Sequence, residues 1–88
     1  MEYVWDPDKA EKNLRKHKID FETAVKVFDD PYYMEYDQED DDDGLRYNAI
    51  GLVDGRMLHV TFTTRGNVHR IISARAAERH ERRLYHEG

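Results

Sequence analysis

The chain has 88 residues, a net charge of −5 at neutral pH and no cysteine. That length supports one modest core, read as a single domain over residues 1–88, and leaves no room for a two-domain cleft. The missing cysteines exclude a disulfide framework, a thiolate metal site and a cysteine nucleophile.

The net charge hides an asymmetry. Residues 1–44 hold fifteen acids and six bases, residues 45–88 hold four acids and eight bases, and all eight of those bases are arginine. Arginine without lysine favours bidentate recognition of phosphate or carboxylate over diffuse attraction. Because the whole chain is acidic, any nucleic acid it meets must be held locally. The start, Met1 to Asp6, carries no apolar run of signal-peptide length, and nowhere are there 18 consecutive apolar residues, so the expectation is a soluble, cytoplasmic protein without a membrane segment.

In chain order, Glu2 to Trp5 alternates like a short strand. Asp6 is a candidate N-cap with Pro7 at the first helical position, and Ala10, Leu14 and His17 recur at helical spacing behind it. A second helix is expected from Asp20, with Phe21, Ala24, Val25 and Phe28 on its apolar face and a stop at Asp29-Asp30-Pro31, making an N-terminal helix pair. Tyr32 to Tyr36 reads as extended. The acidic run 37–43 reads as a solvated loop, since it lacks the alternating ligands and central glycine of a calcium loop. A calcium site there would show itself as a calcium-dependent rise in melting temperature.

Arg46 to Val53, the turn Asp54-Gly55 and Arg56 to Thr64 predict a hairpin, and Arg65-Gly66-Asn67 turns into a third strand around Arg70-Ile-Ile-Ser-Ala-Arg75. Tyr47, Ala49 and Gly51 share one face, as do Leu58, Val60 and Phe62. A C-terminal helix from about Ala76 to about Tyr85, capped by Ser73, should cover one side of this meander through Ala77, Leu84 and His80. The fold class is therefore α+β: a helix pair, a mainly antiparallel sheet and a C-terminal helix. A strand end, a helix start and several arginines meet at residues 70–79, a combination suited to an anion.

The order Trp5-Asp6, Lys9, Asn13, Arg15-Lys16-His17, Phe21, Ala24, Val27-Phe28-Asp29-Asp30-Pro31, Arg46-Tyr47, Gly51, Arg70 to Arg75 and Glu81 to Tyr85 resembles the BrnT family of toxins across nearly the whole chain. Its more specific parts are Arg-Ile-Ile-Ser-Ala-Arg and the element Lys16 to Phe21. The resemblance implies a RelE/ParE-like toxin fold, ribonuclease activity that stops translation, and neutralisation by a BrnA-type antitoxin whose ribbon-helix-helix domain binds operator DNA. The toxin itself would meet DNA only through that antitoxin. Arg65, Arg70, Arg75, Glu81 and Tyr85 carry over by position. Where members often have a basic residue after the second arginine, this chain has Ala76.

RNA cleavage without a metal or cofactor has the 2′-hydroxyl attack the adjacent phosphate, and needs a base, an acid and cations for the developing charge. Arg70 and Arg75 are the expected catalytic cations, with Arg65 and Arg82 also binding RNA phosphate. Glu81 or His17 is the candidate base, and His80, Tyr85 or a water beside an arginine the candidate acid. In a regular strand Arg70 and Arg75 would point to opposite faces, so Arg75 is expected to rejoin Arg70 because the strand ends there. His59 and His69 are expected on the surface. The competing reading is a binding module without catalysis, which acts by occupying a partner.

Overall fold

A computed structural model describes residues 1–41 and 44–88, with side chains outside 37–44. Its elements are β1 (Glu2–Val4), α1 (Pro7–His17), α2 (Phe21–Ala24), a 3₁₀ segment (Val25–Asp29), β2 (Met34–Asp41), β3 (Gly44–Val53), β4 (Arg56–Arg65), β5 (Val68–Ala76) and α3 (Arg79–Glu87). The strands form one five-stranded sheet in the order β1-β5-β4-β3-β2. Among the described residues only the β1–β5 pairing is parallel. The α+β class holds, with a mixed sheet.

The expected helix pair is one regular helix. Asp6 caps α1 by accepting from the Asp8 N–H at 2.8 Å, and Lys18, in the left-handed region at φ 62°, closes it. From Asp20 the chain makes a single α turn and tightens into 3₁₀. β-branched Thr23, Val25 and Val27 favour a long helix poorly. The residues that go fully inside, Phe21, Ala24 and Val27, recur every third position, the period of a 3₁₀ helix. Leu14, read as part of the apolar spacing of α1, is exposed, and the inward residue of the helix is Asn13. Its amide donates to the carbonyls of Ile19 and Ala74 at 3.0 and 2.9 Å, and its oxygen accepts from the Ala74 N–H at 3.0 Å. One buried side chain thus ties α1 to β5 with its polar atoms satisfied.

Behind α1 and α2 the sheet presents Ala49, Val53, Leu58, Val60, Phe62, Ile71 and Ala74, all buried, so the two faces expected of the hairpin are the ones observed. Asp54 and Gly55 take φ of 49° and 84°, the positive pair that a type I′ turn needs. Part of the acidic run is strand, not loop: the backbone pairs Glu39 with Arg46 and Asp41 with Gly44, because an antiparallel ladder is bonded through main-chain groups whatever the side chains. Asp42 and Asp43, the remainder of the expected loop, lie outside the described residues.

The last strand also runs longer than helix propensity suggests. Residues 74–76 stay paired to β4, Ala77 N–H donates to the Met57 carbonyl at 2.9 Å, and Asn13 holds Ala74. Tertiary hydrogen bonds override the helical preference of three alanines. The cap of α3 is Glu78, not Ser73.

Candidate active site

The face of the sheet turned away from α1 carries the arginines, and a β-bulge puts them there. Thr61 opposes Ser73 and Phe62 opposes Ile71, so Ile72 is an extra residue that reverses the alternation. Arg70 and Arg75 therefore share a face within the strand, not because the strand has ended.

Cross-strand register orders this face into rows. Met34, Ile50, His59 and Arg75 form the first; Tyr36, Asn48, Thr61 and Ser73 the second; Arg46, Thr63, Arg70 and Val4 the third; and Arg65, Val68 and Glu2 the fourth. Helix α3 closes over the first row. Its inward residue is Glu81, with Ala77 buried in the link before it, while Leu84 and His80, expected inside, are exposed.

Glu81 is 1% exposed and fully engaged. Arg75 Nη1 and Nη2 donate to its Oε1 and Oε2 at 2.7 and 2.8 Å, the Glu78 N–H donates to Oε1 at 2.8 Å, and the Tyr36 hydroxyl donates to Oε2 at 2.6 Å. Burial raises its pKa, but these bonds outweigh burial and hold the carboxyl at about 2. Arg75 is correspondingly raised by its bond to Glu81. Among the described residues, three of the five guanidinium N–H groups are committed, two to Glu81 and one to the Ala76 carbonyl at 3.2 Å, which leaves two without a hydrogen bond, with Glu78 Oε1 3.9 Å from Nη2.

His59, 6% exposed, lies against this ion pair with Nε2 3.5 Å from Glu81 Oε2, and its buried Nδ1 has no hydrogen-bond partner among the described residues. Burial, then the Arg75 charge, lower its pKa and keep the ring neutral. His69 is buried on the opposite face among Tyr3, Phe28 and Phe62. Neither histidine is the surface residue expected, because Glu81 of α3 and the Tyr36 ring lie against His59 on one face and the aromatic cluster encloses His69 on the other.

The other expected residues are dispersed. Tyr85 donates to Asp30 Oδ2 at 2.7 Å, which raises its pKa and staples the end of α3 to the loop before β2. Arg82 donates to the Ala77 carbonyl at 2.8 Å. His17 ends α1, in the helical layer across the sheet from Arg75. Arg65 and Arg70 are exposed at the far end, where with Val4, Thr63, Thr64 and Val68 they line a depression of about 340 Å³. The sequence brings Arg75 and Glu81 into consideration, and the structure joins them to Tyr36 and His59, which sequence reasoning missed. The signal that could have found both lies in the pairing: they sit on the arginine side once the bulge is known. Glu78, His80 and Glu81 bring one metal-ligating atom each within 4.8 Å of one another, but both Glu81 oxygens already accept from Arg75.

Chemically, the face offers a pinned guanidinium, a phenol sharing its counter-ion, a neutral hydroxyl and amide row, and three further arginines, Arg46, Arg65 and Arg70. No helix among the described residues is long and apolar enough to cross a membrane. No curated protein matches the chain. A family model described as ribonuclease toxin, BrnT, of type II toxin-antitoxin systems matches residues 5–81. The chain, with the arginine-bearing strand and Glu81, the residue that holds Arg75, inside the matched span, belongs to the BrnT family of ribonuclease toxins.

Proposed function

We propose that residues 1–88 act as one RelE-like toxin domain that cuts RNA endonucleolytically in the cytoplasm, without metal or cofactor, and so stops translation. The observation that carries this reading is the Arg75–Glu81 pair beside Tyr36, on the same open face as Arg70. The two uncommitted N–H groups of Arg75 meet the scissile phosphate and stabilise the charge that develops there, pre-aimed because Glu81 fixes the guanidinium before substrate arrives. Arg70 and Arg65 hold the RNA backbone. Glu81, ionised down to about pH 2, serves to hold Arg75 more than to take a proton, and the Tyr36 hydroxyl is the protic group at hand.

The partner in this reading is a BrnA-type antitoxin with a ribbon-helix-helix domain, and DNA is reached only through it. The saturation of Glu81 also favours a second reading, in which the face occupies a partner without cleaving. Purified protein incubated with single-stranded RNA and excess chelator separates the two. Products ending in a 2′,3′-cyclic phosphate, lost in R75A, are expected; intact RNA under every condition, with growth still arrested on expression, would leave occupancy as the mode of action.

A further inference from the structure

We infer that the open face holds its RNA at two separate phosphate stations, Arg75 at one end and the Arg65–Arg70 depression at the other, so that efficient cleavage requires a single strand long enough to reach both. The inference rests on the ribonuclease reading above. Arg75 stands opposite His59 and Arg70 opposite Thr63, four residues along β4, which places the two stations roughly 13 Å apart. Arg75 cannot lean across that gap, because Glu81 and the Ala76 carbonyl hold its guanidinium at the α3 end. One phosphate group is too small to touch both.

The far station is built to hold something. Among the described residues Arg65 and Arg70 have no ion-pair partner, and their depression of about 340 Å³ has buried Thr63 in its lining and apolar walls at Val4 and Val68. Cations beside an apolar wall suit a nucleotide, with its phosphate on the guanidinium groups and its base against the valines. Between the stations the second row is uncharged: Asn48, Thr61 and Ser73, with the Thr61 hydroxyl donating to Asn48 Oδ1 at 2.8 Å. Each row is displaced from the next by roughly 7 Å along the strands, so a strand laid over them would put a phosphate at Arg75, a sugar and its phosphate over the neutral row and another phosphate at Arg70. That spans on the order of three nucleotides.

The test uses one cleavable step embedded in a dinucleotide and in a hexanucleotide, with the matching 2′-O-methyl oligonucleotides for binding by fluorescence anisotropy. For the parental protein kcat/KM is expected to rise at least tenfold from the short to the long substrate. In R65A and R70A, both exposed and checked for folding by circular dichroism, the loss should fall mainly on the long substrate and the ratio should collapse toward one. In R75A the loss should fall on both lengths. A parental protein that cuts both lengths equally, or R65A and R70A variants that keep the full ratio, would overturn the two-station arrangement and leave the ribonuclease reading standing. Length-dependent binding that R65A abolishes, in a protein that cuts neither substrate, would support the stations and remove the ribonuclease reading instead.

Discussion

Replacing Glu81 by glutamine keeps the size of the side chain and removes its charge, which isolates what the carboxylate does for the fold. In the folded chain its pKa lies at about 2 against an ordinary value of 4.5. At about 1.4 kcal/mol per pKa unit, the ionised form stabilises the fold by about 3 kcal/mol, the lower end of what removing one partner of a buried ion pair costs. Glu81 is buried, so solvent screening takes little from this figure, although Arg75 is partly exposed. The folded pKa is depressed, so the contribution is complete above the unfolded value and is lost as pH falls from about 4.5 to about 2. Urea denaturation of parental and E81Q protein should therefore show a gap of about 3 kcal/mol at neutral pH, equivalent to a melting-temperature drop on the order of 15 °C, that closes toward about pH 2. Asp20 and Asp30, whose pKa values are also lowered, give both proteins the same background acid sensitivity. A gap below about 1 kcal/mol at neutral pH, or one that does not change with pH, would refute the assignment of Glu81 as the anchor of α3.

R75A is expected to remove roughly 10²-fold of RNA cleavage, with R75K recovering only part, since a point charge cannot replace a fork that engages Glu81 and phosphate together; a folded R75A at parental rate would sink the phosphate role. N13A leaves the Ala74 N–H and two carbonyls unpaired in the interior and should cost about 3 kcal/mol, read by chemical denaturation, with a change under about 1 kcal/mol counting against the bridge. G51A would set a Cβ 2.7 Å from Val27 Cγ1 and 3.0 Å from its carbonyl oxygen, so a loss of about 1–3 kcal/mol is expected, and a parental melting temperature would show that the 3₁₀ segment yields freely. Association with an antitoxin should slow steeply with ionic strength, because acids crowd one half of the chain and arginines the other; salt-independent stopped-flow rates would exclude electrostatic steering.

Much of the fold was legible because local chemistry dictates it. Asp6-Pro7 and Asp20 mark helix starts, Asp54-Gly55 makes the tight turn, and alternation in β3 and β4 sends Ala49, Val60 and Phe62 to the core. Arg75 stood out as a cation at an expected strand-to-helix junction, and Glu81 as a position that the family resemblance carries over and as a candidate base. What the sequence could not supply was long-range register. Nothing in Arg-Ile-Ile-Ser-Ala-Arg says that Ile72 is the residue left out of the ladder, yet that one bulge brings Arg70 and Arg75 to one face. The three alanines after Ser73 read as helix until β4 pairs with Ala74 and Ala76, Met57 accepts from the Ala77 N–H, and Asn13, sixty-one residues away, pins Ala74. The meeting of Tyr36 with Glu81 across forty-five residues, and of His59 with Arg75 across a strand pair, depends on how α3 lies over the sheet. Composition and spacing fix which groups are available and where single elements begin; the hydrogen bonds between distant strands decide which of them share a site, because a one-residue change of register turns every side chain beyond it to the other face.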